Sequence, residues 1–211
     1  MKRLLAIAFL SLLSAWKIGV FAQNTHALAS SYTIEIDSRS FVRVMGRTNV
    51  NTFECSYCSD LAYKVFTIGV NDNPQGDICF DDAIIQLKTG CFDCGLKEMT
   101  KDFRSLLKEP EHPYITMDIM CLKSDLHHSE VKFTIAGISN FYTIPFEVKQ
   151  EGDKVHCIGK KAIDIQDFNI EPPTKLFGLV KVHEIIEVEF NLIVKIDANA
   201  TTQVQVNGVA K

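Results

Sequence analysis

The sequence predicts an all-β, antiparallel domain of about eight strands with one inserted helix. Three observations carry that expectation. Long stretches alternate apolar and polar residues with a period of two. One stretch, near the middle of the chain, changes to the helical period. Turn-forming residues cluster between the alternating stretches.

The strongest alternation comes last. Within residues 184–197, from Ile186 onward, Ile186, Val188, Phe190, Leu192, Val194 and Ile196 share one parity, whereas Glu187, Glu189, Asn191 and Lys195 take the other. Ile193 is the exception. Successive side chains of a strand point to opposite faces, so this is a strand with one apolar and one wet face. Eleven residues at ~3.3 Å each reach about 36 Å, which demands long neighbours.

The chain begins with Met1-Lys2-Arg3, an apolar run from Leu4 to Trp16, and Val20-Phe21-Ala22. This is the pattern of a secretory signal peptide over residues 1–22, cleaved after Ala22. The apolar run is too short for a membrane span, and no later stretch approaches the ~20 residues a span needs. The expectation is therefore a secreted, periplasmic or extracellular protein with no transmembrane segment in the mature chain. Cleavage removes Lys2, Arg3 and Lys17 and no acid, leaving 19 basic against 26 acidic residues, a net charge of −7. That balance disfavours nucleic acid or an anionic lipid surface as a default partner, and no nucleic acid is expected.

Residues 23–31 read as a loose start. Tyr32, Ile34 and Ile36 open the first strand, which breaks at Asp37-Ser38 and resumes at Phe41 to Val44. Asn49–Cys58 and Leu61–Gly69 follow, then a turn-rich stretch from Asn71 to Asp77. Asp82–Thr89 alternates through Ala83, Ile85 and Leu87. Leu96, Met99, Phe103, Leu106 and Leu107 then fall at i, i+3, i+7, i+10 and i+11, one face of a helix over about residues 96–108. Pro110 and Pro113 end it. Strands resume at Tyr114–Leu122, with Ile115, Met117, Ile119 and Cys121 on one side. Val131, Phe133 and Ile135 precede Gly137, and Ile144, Phe146 and Val148 precede the Glu151-Gly152-Asp153 turn. Lys154–Ile165 is a strand of poorer pattern, and Pro172-Pro173 forces a loop before the last strand. No linker or repeat interrupts residues 32–197, so one domain is expected, with residues 198–211 as a flexible tail.

Strands of this kind form a sandwich or a barrel, and alternation alone does not separate the two. A closed barrel leaves no open edge, and at about eight strands it encloses packed side chains or one small ligand.

Several motifs are weighed and set aside. His183-Glu184-Ile185-Ile186-Glu187 approaches a metalloprotease phrase, but it lies on a strand, where i and i+4 are ~13 Å apart. His127-His128 sits in a polar turn. Asp164 and Asp167 are closer to turn residues than to an acid–base pair, with Asp167 bonding backbone before Pro172. No nucleophile elbow, dinucleotide loop or phosphate loop occurs. The expectation is a protein with no catalytic residues, no metal and no cofactor. Cys55-Ser-Tyr-Cys58 and Cys91-Phe-Asp-Cys94 have the form of a four-thiolate zinc site, of disulfides, or of buried thiols. On an extended strand i and i+3 face opposite sides, which disfavours the metal. Seven cysteines leave at least one unpaired within the chain, and Cys121 shares its strand's inward parity, as a small core residue does.

The order of features resembles the YceI-like family of secreted, lipocalin-like barrels that bind polyisoprenoid lipids. Tyr32-Thr33-Ile34-Glu35-Ile36-Asp37 is similar to its opening strand. Met99 to Phe103 with Leu106-Leu107 and His112-Pro113-Tyr114-Ile115 resembles its helix-then-strand phrase. Phe133-Thr134-Ile135-Ala136-Gly137 resembles its central strand, and Asp167-Phe168-Asn169-Ile170 with Pro172-Pro173, Gly178 and Lys181-Val182 its late signature. Residues 46–80 depart most from it. The resemblance implies an up-and-down barrel over residues 32–197 around an apolar tunnel, with Cys55–Cys94 as a disulfide and Cys58–Cys91 as a second candidate bridge.

On that basis the tunnel-lining candidates are Ile85, Leu87, Phe103, Ile115, Met117, Ile119, Phe133, Ile135, Phe146, Val188, Phe190 and Leu192, with Phe103 as a lid from the helix. No charge occurs among them. The implied partner is a long-chain lipid, an isoprenoid or quinone-like chain, sequestered by burial alone. The alternative is a solid, closed barrel that serves as a secreted structural or stress-response protein, for instance as a homodimer.

Overall fold

A computed structural model describes residues 30–58, 61, 65–175 and 179–197. The expected signal peptide over 1–22 and the tail over 198–211 lie outside the described residues. In chain order the elements are β1 (Ser30–Ile36), β2 (Phe41–Arg47), β3 (Thr52–Tyr57), β4 (Val65–Asp72), β5 (Ile78–Asp81), β6 (Ile84–Lys88) and β7 (Phe92–Asp93). Helix α1 (Lys97–Leu106) follows, then β8 (Tyr114–Leu122), β9 (His128–Ile135), β10 (Ile138–Glu151), β11 (Lys154–Asp164), β12 (Thr174–Lys175), β13 (Val180–Lys181) and β14 (Ile185–Asp197).

Eight strands close a ring in the order β1, β4, β5, β8, β9, β10, β11, β14 and back to β1. Ring neighbours follow chain order and every pairing is antiparallel, so the fold is the lipocalin-like meander that the resemblance implies, where alternation alone left sandwich and barrel open. Ser30 and Ser31 pair with Val70 and Gly69, so the strand begins inside the stretch read as a loose start.

β14 is the seam of the ring. It pairs with β11 over eleven positions, and its other edge is shared by two shorter strands. β2 takes Glu187 to Asn191 and β1 takes Val194 to Asp197. β1 and β2 are thus two halves of one strand, broken at Asp37–Ser40 where the sequence predicts a break. The broken ladder is mended locally: Asp37 N–H donates to the Ile193 carbonyl at 2.8 Å, and the Ser40 hydroxyl accepts from Ile193 N–H at 2.9 Å. Asp37 also accepts from Arg39 N–H at 2.9 Å and from Lys154. Lys154 first of all holds its carboxyl well below the usual carboxylate range.

A second break separates β5 from β6 at Asp82, whose φ of 62 lies in the left-handed region. Both halves pair with β8: β6 with Tyr114 to Asp118, β5 with Cys121 and Leu122 only. The register of β8 against β9 shifts between Ile119 and Cys121. One extra residue in a strand reverses the parity of everything after it. Ile119 faces inward, and after the bulge Leu122 does so in place of Cys121. Cys121 is therefore not a core residue; it lies directly across from Cys79 and the two form a disulfide.

The other disulfide joins Cys55 to Cys94, both buried. Cys58 and Cys91 are not bridged, which corrects the second candidate pair. They continue the β3–β7 ladder, with Cys58 N–H donating to the Cys91 carbonyl at 2.8 Å. Each bridge staples a pairing of two residues: Cys79–Cys121 the β5–β8 contact, Cys55–Cys94 the β3–β7 contact.

The β9–β10 hairpin turns on Ala136 and Gly137, with φ of 49 and 82. Two central residues with positive φ match the right-handed twist of the flanking strands. At Gly137 a side chain would also meet the His112 ring at 2.5 Å. Helix α1 lays its apolar face on the ring, with Phe103 5.4 Å from Phe92.

Loss of the Cys79–Cys121 staple leaves the weakest seam to two backbone pairings. Cys121→Ser is expected to lower the unfolding free energy by about 2–5 kcal/mol, read from urea denaturation. An unchanged midpoint would show that the seam holds without the bridge.

Candidate functional site

Ring closure gives every strand an inner face, and alternation makes that face apolar. The inner side chains do not meet everywhere. They leave two chambers, one of about 260 Å³ and one of about 80 Å³. Ile85, Ile119, Phe146, Phe190 and Leu192 line the larger. Leu87, Phe103, Ile115, Phe133, Ile135 and Val188 line the smaller. Met117 lines both. All twelve candidates from the sequence thus face the interior, divided between two spaces instead of one tunnel.

The larger chamber reaches solvent at the end of the ring that carries the β4–β5, β8–β9 and β10–β11 turns. Val148 and Ile196 line it there, and they are 51% and 44% exposed. At the other end Phe92 and Phe168, each 1% exposed, stand in the wall of the smaller chamber, with Leu107, Phe103 and Leu106 over it from α1 and its C-terminal turn. The interior is open at one end and plugged at the other.

The walls offer almost nothing polar. Ser129 is the one hydroxyl in the larger chamber, and it donates to the Cys121 carbonyl at 3.2 Å. Cys157 contributes a thiol, which burial pushes up to about 11. Apolar cavities of this kind stay dry and accept apolar guests; one of ~150 Å³ holds benzene.

Phe190 shows how the hollow is kept. It lies directly across from Gly159, and a Cβ on Gly159 would sit 2.2 Å from the Phe190 ring. Any side chain at position 159 would collide with the Phe190 ring, so glycine leaves that ring its place.

Charge gathers around the open end. Lys123 follows the lining residue Leu122 and bonds Glu130 at 2.9 Å and Asp77 at 3.4 Å. Lys195 lies between Val194 and Ile196 and meets Asp153 at 3.3 Å, and Lys154 meets Asp37. Asp77 is buried, and the Asn73 side chain outweighs that burial. With Ser124 N–H and Lys123 it holds the carboxyl below its ordinary value. The cations flanking the mouth already hold carboxylates.

Sequence reading missed part of the lining for local reasons. Phe80 lies on β5, hidden behind the turn signals of Asn71 to Asp77. Val155, Cys157 and Ile163 lie on the poorly patterned β11. Phe168 and Ile170 come from a 3-10 turn and the loop after it, where no period of two exists to read. Asp164 and Asp167 are not an acid–base pair. Asp164 accepts from Gln166 N–H at 2.9 Å, and Asp167 accepts from the Tyr142 hydroxyl at 2.6 Å, a side-chain partner where backbone was expected. Among the described residues no helix is long and apolar enough to cross a membrane.

No model of a known protein family matches the sequence, and no curated protein matches it. Solved structures do. BcnA of Burkholderia cenocepacia superposes with a TM-score of 0.56 at 19% identity, covering 75% of this chain and 99% of BcnA. A polyisoprenoid binding domain from Saccharophagus degradans, implicated in plant cell wall breakdown, superposes at 0.54 and 9% identity, covering 78% and 98%. The YceI protein of Campylobacter jejuni follows at 0.43 and 15% identity, over 60% and 78%. The likeness to the first two establishes the fold, a lipocalin-like all-β ring as the sequence reading expects.

The half-buried Cys157 thiol provides a readout of the larger chamber. Its alkylation by iodoacetamide, located by peptide mass spectrometry, is expected to lag behind that of the exposed Cys58. It should rise about tenfold per pH unit up to about pH 10, because the thiolate is the reacting form. Rapid, pH-independent labelling would mean the thiol does not face a dry space.

Proposed function

We propose that the chain is a YceI-like carrier or scavenger of a long apolar lipid, an isoprenoid or quinone-like chain, and that it catalyses no reaction. The observation that carries this reading is the larger chamber: a hollow walled by apolar side chains, open to solvent at one end. Each methylene moved from water into such a space contributes ~0.8 kcal/mol, so affinity needs shape and dryness and no polar anchor. The polyisoprenoid binding domain of Saccharophagus degradans, which shares the fold, supports the same class of ligand. The amino-terminal signal pattern and two disulfides support work in a secreted or periplasmic space.

The paired charges at the mouth favour a neutral head group. An anionic head would have to compete with Asp77, Glu130 and Asp153 for the flanking lysines. A hydroxyl or quinone head makes no such demand and stays at the mouth while the chain fills the chamber.

Organic extraction of the purified protein followed by mass spectrometry is expected to release a prenyl lipid. In displacement of a bound fluorescent dye, farnesol should compete at least as well as farnesyl phosphate, and it should slow Cys157 alkylation. Leu192→Lys, which places a charge in the chamber wall, is expected to abolish competition. An empty extract together with no competition by farnesol would remove the carrier reading.

A further inference from the structure

We infer that Met117 is the partition that sets how long a chain the interior accepts; this rests on the carrier reading. Among the described residues Met117 alone walls both chambers, and it is 3% exposed. It stands on β8 with Ile85 across from it on one side and Phe133 on the other. A chain entering past Val148 and Ile196 fills the 260 Å³ chamber first and meets Met117 with its tip. Behind Met117 lie a further 80 Å³, plugged at the far end by Phe92 and Phe168.

The chemistry of the partition matters. Methionine is unbranched, with three rotatable bonds, and fills or vacates irregular space at little cost. Its two cross-strand neighbours lack that freedom. Ile85 is β-branched and stiff at χ1. Phe133 is held edge-on to Tyr142 with ring centroids 5.9 Å apart. Swinging the Met117 side chain is therefore the least costly motion that joins the two spaces. At rest the partition stops a chain at the end of the larger chamber. Displaced, it admits a short extension and nothing beyond, because the plug is built from fully buried rings.

The test is a chain-length series in the dye-displacement assay, with geraniol, farnesol and geranylgeraniol as probes. For the unaltered protein, affinity is expected to rise from geraniol to farnesol and then level off. Met117→Ala should carry the rise on to geranylgeraniol, by about tenfold. Met117→Phe should end it at geraniol. Met117→Leu keeps the volume and hence the fold, but its branched side chain cannot swing aside as freely. It should bind farnesol unchanged and discriminate more strongly against geranylgeraniol. A levelling point that stays the same in the unaltered protein and all correctly folded variants, with binding retained, would overturn the partition and leave the carrier standing. Failure of every alcohol to compete in the unaltered protein would sink both.

Discussion

The structure depends on the closure of the ring along β14. That strand has thirteen residues, and both of its edges are occupied: one by β11, the other by β2 and β1 in succession. An unpaired edge of this length would expose a row of backbone donors and acceptors in a strand with a strongly apolar face. Neither β1 nor β2, at seven residues each, is long enough to cover the second edge alone. The chain solves this with a broken strand, and the Ser40 hydroxyl and Asp37 N–H meet the Ile193 backbone that the break would leave bare. Ile193 itself, an apolar residue on the polar parity, is 2% exposed beside that break.

The same device recurs on the opposite side of the ring, where β5 and β6 divide β8 between them. There the division leaves β5 with two pairing positions. Covalent chemistry makes up for hydrogen bonds that are missing: the Cys79–Cys121 bridge lies across that short contact, as Cys55–Cys94 lies across the equally short β3–β7 contact. Both bridges are cross-strand, and both sit where the ladder alone would be weakest. Two such bridges are compatible with an oxidising compartment.

Closure also decides what the interior can do. Eight strands enclose a space close to the volume of their own side chains, so small choices determine whether it is filled. Gly159 leaves room for the Phe190 ring, Met117 stands between two spaces, and Phe92 and Phe168 plug one end. The result is a dry hollow with one mouth, whose flanking lysines are already engaged. Among the described residues its wall is apolar except for Ser129 and Cys157.

The sequence by itself determined the long strands, most of their inner parity and the helix, because each is a matter of local period. Met117, Phe190 and the other candidates were legible for that reason. Cys121 was misread because a bulge one residue long reverses parity, and a bulge leaves no mark on composition. The larger and smaller chambers were beyond the sequence for a different reason. A cavity is a small difference between the space that strand pairing encloses and the space that side chains fill, and both quantities exist only once the ring has closed. Tertiary structure alone decided that the apolar faces surround a hollow, that it opens beside Val148 and Ile196, and that Met117 divides it.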